Sequence, residues 1–122
     1  MKCRSLALFT LILIGGAFGA SAESPILAEA RKALREDLPQ IAAHKLRTAL
    51  IASELMGEER SAGIRLLAEA LISSGQHEEA LKRLERNETG HPEAALLKGR
   101  ALAALGRWDE ALPVFEAVVS GS

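Results

Sequence analysis

The amino-acid sequence predicts an all-α fold made of repeated helical hairpins, and three observations carry that expectation. Beyond Ala22 the chain is rich in Ala, Leu, Glu, Arg and Lys, all good helix formers, and has no run of alternating β-branched residues. The phrase Gly75-Gln-His-Glu-Glu-Ala80-Leu81 returns 31 residues later as Gly106-Arg-Trp-Asp-Glu-Ala111-Leu112, a period in the range of stacked repeats. The single cysteine, Cys3, precedes all of this, so a domain of this size has no disulfide and must be held by helix packing.

The N-terminal segment reads differently. Lys2 and Arg4 form a basic head, Leu6 to Phe18 is apolar and uncharged, and Ala20-Ser21-Ala22 supplies the small residues a signal peptidase selects, so residues 1–22 read as a signal peptide and residues 23–122 as the mature domain. The alternative is a retained membrane anchor, because the uncharged run from Ser5 to Ala22 is long enough to cross a thin bilayer. Cys3 lies before the apolar run and so is not placed as a lipid-bearing cysteine. Removing Lys2 and Arg4 leaves thirteen basic residues against sixteen acidic ones, a net charge of −3. With no basic excess, and only Trp108 and Phe115 as aromatics in the mature part, nucleic-acid binding is excluded.

Six helices follow in order. Ser24-Pro25 starts the first, with Ser24 as a cap and Pro25 at the first helical position, where its missing N–H costs nothing. Ile26, Ala30, Ala33 and Leu34 line one face until Asp37-Leu38-Pro39 interrupts it. Pro39 opens the second helix, which runs through Ile41, Ala42, Leu46, Ala49 and Leu50 towards Met56, with Gly57 as its stop. The third spans about Glu58 to Ser74, with Ile64, Leu67, Ala68, Leu71 and Ile72 at helical spacing, and Gly75 ends it. A fourth starts near Glu78, where two carboxylates suit the positive end of the helix dipole, and ends before the turn formers Asn87 to Pro92. Pro92 to Leu105 and Asp109 to about Val119 repeat the plan around Gly106, giving hairpins at about 24–56, 58–87 and 92–119.

At these residues the chain resembles the tetratricopeptide repeat (TPR) family. The matching positions are Ile64, Leu67, Ala68 and Leu71, then Ala80 and Leu84, with Pro92 closing the middle unit. In the last unit they are Ala95, Lys98, Gly99 and Leu102, then Ala111 and Phe115. The first matches through Ile26, Glu29, Ala30 and Ala33, then Ala42 and Leu46, with Asp37 where the others have glycine. Ala42 to Ala80 is 38 residues and Ala80 to Ala111 is 31, around a family period of about 34. The resemblance implies antiparallel hairpins stacked as a short right-handed solenoid, acting as a protein–protein interaction scaffold and not as an enzyme. The small residues suit close helix approach, while Leu84 and Phe115 fill the space between hairpins.

In that family the first helix of each hairpin lines a concave groove that takes a peptide or a partner's helix. The resemblance therefore puts Leu27, Arg31, Arg35, Arg65, Glu69, Ile72, Leu96 and Arg100 on the groove. Four arginines against one glutamate suggest a partner with acidic groups, held by paired guanidinium hydrogen bonds. The plainer alternative is that these arginines are the solvated faces of amphipathic helices. The family's asparagine-and-lysine carboxylate clamp is absent, so no chaperone-tail specificity carries over.

Enzymatic constellations are sparse. His77-Glu78 lacks the second histidine a zinc-protease helix needs, since Leu81 stands there, and His44 and His91 have no sequence neighbours that complete a metal set. His77 reads as a solvated turn residue. No phosphate loop, nucleophile elbow or cofactor motif is present. Asn87-Glu-Thr89 fits a glycosylation acceptor, a pattern short enough to arise by chance. Trp108 reads as a staple packed across the last hairpin, or else as a contact hot spot.

After Phe115 no polar capping helix follows, and Val114, Val118 and Val119 lie near the flank of the stack. Either a partner or self-association covers this end, or the chain opens a longer repeat array. The expected protein is thus an exported interaction module of a bacterial periplasm or the extracellular space. A membrane-tethered assembly factor is the competing class if the signal segment is retained.

Overall fold

The computed structural model describes residues 23–87 and 90–121. The signal-segment reading of residues 1–22 lies outside them, as does most of the Asn87-Glu-Thr89 motif. Six α-helices make up the described chain: α1 (Pro25–Arg35), α2 (Pro39–Ile51), α3 (Gly57–Ser73), α4 (His77–Arg86), α5 (Pro92–Ala104) and α6 (Trp108–Ser120). They pack in sequence as three hairpins, α1 with α2, α3 with α4 and α5 with α6, and each hairpin packs on the next through α2·α3 and α4·α5. Helices α1, α3 and α5 also pack on one another in series, whereas α2, α4 and α6 do not pack together and, among the described residues, only the Arg47–Glu79 ion pair joins α2 to α4. The first helices are therefore gathered on one side and the second helices spread on the other. Among the described residues no helix is long and apolar enough to cross a membrane.

One turn geometry closes four of the helices. A residue with positive φ follows α1, α2, α3 and α5, at Asp37 (60°), Ser53 (56°), Gly75 (84°) and Gly106 (77°). In each case its N–H returns to the carbonyl three residues back, and the next N–H reaches the carbonyl five back: Leu38 to Ala33, Glu54 to Ala49, Gln76 to Leu71 and Arg107 to Leu102. These paired bonds satisfy carbonyls that the last helical turn leaves free. Glycine adopts the left-handed conformation without a Cβ penalty, which explains the echo at Gly75 and Gly106.

The second helix departs from the sequence reading. It stops at Ile51, because Ser53 takes the left-handed role expected of Gly57, and Gly57 instead begins α3 with φ 57°. The freed segment carries Leu55 into the core, where it is almost fully buried. Gly63 of α3 makes room for it, since a Cβ there would sit 2.7 Å from Leu55 Cδ1. Ser24 makes no side-chain cap; its own N–H donates to Glu59 Oε2 at 2.9 Å, tying the start of α1 to α3. His91, read as a loop residue, caps α5 by accepting the Glu93 N–H on Nδ1. His77 is half-buried at the head of α4, with a buried Nδ1 that has no partner among the described residues.

Small residues set the helix spacing. Ala30, Ala42, Ala43, Ala68, Ala70, Ala80, Ala101 and Ala111 are fully buried and let helix backbones approach. At Gly99 the approach is closer still, because a Cβ would fall 2.5 Å from the Phe115 ring. The buried side chains form two clusters. The larger runs from Leu27 through Leu46, Leu55, Leu67 and Leu71 to Leu84 and Leu97. The smaller joins Leu81, Ala101, Leu102 and Ala111, and Ile72 packs against both.

Candidate functional site

On the side where α1, α3 and α5 meet, these helices line a depression of about 250 Å³. Its wall is Arg31 of α1, then Ala62, Arg65, Leu66 and Glu69 of α3, then Glu93, Leu96, Leu97 and Arg100 of α5. The two longer sets are the same helical face seen twice, because adding the 31-residue period to 62, 65, 66 and 69 gives 93, 96, 97 and 100. Spacing at i, i+3, i+4 and i+7 keeps each set on one stripe of its helix. Leu66 and Leu97 are buried and form an apolar floor, and the charged side chains stand around it.

Electrostatically the wall is close to balanced, with three arginines and two glutamates. Arg31 Nε donates to Glu23 Oε1 at 2.7 Å. Arg65, only 16 % exposed, stands 3.5 Å from a Glu93 carboxylate oxygen. Arg100 is exposed and makes no ion pair or hydrogen bond among the described residues. Arg31, Glu69 and Arg100 occupy one equivalent position on the three first helices, at offsets of 38 and 31, so the wall carries a row of alternating sign.

Five of the eight residues expected on the groove meet in this depression: Arg31, Arg65, Glu69, Leu96 and Arg100. Leu27 does not. It is 2 % exposed and packs in the main core beneath Gly63, so it is a structural residue. Arg35 lies in the last turn of α1, where its charge complements the helix dipole, outside the depression. Ile72 is half-buried between the two clusters and likewise stands outside it. The sequence reading missed Ala62, Leu66, Leu97 and Glu93. The signal was the 31-residue offset itself, which carries the α3 stripe onto α5.

Trp108 is not a staple. It is 54 % exposed on α6, beside an exposed Leu112 and Val119. The ring that fills the last hairpin is Phe115, against Gly99. On the far side of the stack, Arg47 of α2 donates to both Glu79 carboxylate oxygens at 2.6 and 3.1 Å and to Gln76 Oε1 at 3.1 Å. The Arg47 hydrogen bonds, with the Arg47 and Arg83 charges behind them, hold the Glu79 carboxyl below its ordinary value of 4.5.

A stack of helical hairpins whose first helices share one lined face defines a helical-repeat protein. More particularly, the chain belongs to the ANAPC3 family, described as anaphase-promoting complex, cyclosome, subunit 3, whose model matches residues 42–118. This is a TPR-like repeat domain of a typically non-enzymatic class, and such a domain implies protein partners. No curated protein and no solved structure matches the chain.

Proposed function

We propose that the chain is an exported, non-enzymatic scaffold whose short right-handed stack holds a peptide or helix of a partner protein across α1, α3 and α5. The observation that carries this reading is the depression of about 250 Å³, an apolar floor of Leu66 and Leu97 edged by Arg31, Arg65 and Arg100. That volume is below the range of small-molecule sites, about 300–1,000 Å³, and suits one or two side chains of a longer ligand. Arg100 is the guanidinium open to a partner carboxylate, Arg31 is the second once Glu23 is displaced, and Arg65 is committed to Glu93. The basic head, apolar run and Ala20-Ser21-Ala22 exit support export. The uncharged run from Ser5 to Ala22 favours a second reading, a membrane-tethered assembly factor, and mass spectrometry of the mature N-terminus separates the two.

Affinity capture with the wild-type chain supplies the partner, and Arg31→Glu/Arg100→Glu tests the site. Loss of two charged hydrogen bonds weakens binding by about two orders of magnitude or more. Lys45→Glu on α2, outside this depression, leaves binding unchanged. A double variant that folds and binds its partner as the wild type does refutes the proposal.

A further inference from the structure

Glu69 is the wall residue that capture of an acidic partner leaves without a role. It is half-buried in the C-terminal half of α3 and lines the depression together with Arg31, Arg65 and Arg100. The neighbouring carboxylates are engaged: Glu23 accepts from Arg31 at 2.7 Å, and Glu93 stands 3.5 Å from Arg65. Among the described residues Glu69 and Arg100 make no ion pair or hydrogen bond, so the two unpaired charges of the wall are of opposite sign. A carboxylate partly withdrawn from water without a counter-charge costs free energy that a cationic group of a ligand recovers.

The order of these charges is set by the stack. Arg31, Glu69 and Arg100 each follow the buried small residue of a first helix, Ala30, Ala68 and Gly99. They therefore stand in line across α1, α3 and α5, one to a hairpin, as positive, negative, positive. Packed helices lie about 8–10 Å apart, which is the step of the row. A segment in the polyproline II conformation has three residues per turn and rises about 3.1 Å per residue, so every third side chain points the same way about 9 Å further on. In a β-strand the third residue would face away. A helix is too wide to enter, because one turn of about 10 Å diameter fills roughly 400 Å³, against about 250 Å³ in the depression. Leu66 and Leu97 lie one helical turn before the row, where a residue between two charges of the ligand can rest on them.

We infer that the depression selects an extended partner segment of alternating charge, acidic, basic and acidic at every third residue, with apolar side chains between. Glu69 receives the basic side chain. Arg100 and Arg31 receive the acidic ones, Arg31 by exchanging Glu23 for a carboxylate of the partner. The inference rests on the reading of the depression as the partner site and adds its selectivity. A uniformly acidic segment, which the arginines alone would favour, sets a carboxylate against Glu69 and is rejected.

The probe is a random peptide library displayed on phage and selected against the wild-type chain. The expected consensus has Lys or Arg with Asp or Glu three residues away on both sides. Selection against Glu69→Lys should replace the central basic residue by an acidic one. The wild-type consensus peptide should bind Glu69→Lys about tenfold or more weakly. The same peptide with its central residue changed to Glu should bind Glu69→Lys and not the wild type, an exchange that also shows the variant to be folded. A uniformly acidic consensus, one that Glu69→Lys leaves unchanged, or charges spaced for a helix at about seven residues overturns the inference and leaves the partner site standing. Absence of binders, or binders indifferent to Arg31→Glu/Arg100→Glu, removes the partner site and the inference with it.

Discussion

Replacing Gly99 by alanine tests the packing of the last hairpin through the sign of its effect. In an unobstructed helix interior, alanine is better than glycine by about 1 kcal/mol. Here the new methyl would lie 2.5 Å from Phe115 Cε1 and 2.9 Å from two further ring carbons, so the ring must give way. Such overpacking costs about 1–3 kcal/mol, which leaves Gly99→Ala neutral to destabilising by about 2 kcal/mol. Shortening the obstacle removes the clash while keeping the site apolar. In a Phe115→Leu background, Gly99→Ala should therefore stabilise by about 1 kcal/mol, a rise of roughly 4–8 °C in Tm for a domain of this size. Thermal and urea unfolding of the four proteins in the cycle, followed by circular dichroism, gives the coupling between the sites, expected at about 1–3 kcal/mol. If Gly99→Ala stabilises the wild type as much as it stabilises the Phe115→Leu protein, the close approach of α5 and α6 does not exist.

Two further predictions concern turns and charge. Ser53→Gly places the favoured residue at a left-handed position and should raise stability by about 0.5–1 kcal/mol, whereas Ser53→Val should lower it, as chemical denaturation will show. Arg47→Ala removes the guanidinium from Glu79 and Gln76 and should cost about 1 kcal/mol, the exposure of the pair keeping the value small. Because Glu79 is held below 4.5 in the folded chain, its contribution is complete above that pH and is lost as pH falls through the lowered value. Wild type and Arg47→Ala should thus converge in Tm in that acid range, and a constant gap down to pH 2 would contradict the assignment.

Legibility in the sequence followed chemical identity. Gly75 and Gly106 announced their turns because glycine is the residue that left-handed backbone selects, and the middle and last hairpins could be read from them. Ser53 performs the same task without the signature, so α2 was read too long and Leu55 was missed as a core residue. The lined face was half legible. The arginines stood out as charges, but Arg65 pairs with Leu96 in register and Glu69 with Arg100, so equivalent positions carry unlike residues. Position repeats there and chemistry does not. Trp108 was misread because a large aromatic beside a turn was assigned to the nearest interior, when its face of α6 is the one left uncovered.

The division of the interior into two clusters has a consequence for how the molecule opens. Among the described residues the helices pack on their neighbours and, for the first helices, in series, with the Arg47–Glu79 ion pair joining α2 to α4, so neither helix of the first hairpin packs on one of the last. The smaller cluster joins the last hairpin to Leu81 of α4, Leu97 of α5 belongs to the larger one, and Ile72 packs against both. Such a chain unfolds in cooperative blocks rather than all at once. Backbone amides of α5 and α6 should exchange with solvent before those of α3, and Ile72→Ala should widen the interval by uncoupling the blocks. The C-terminal hairpin would then act as a latch, closing on the rest of the stack and released from it first.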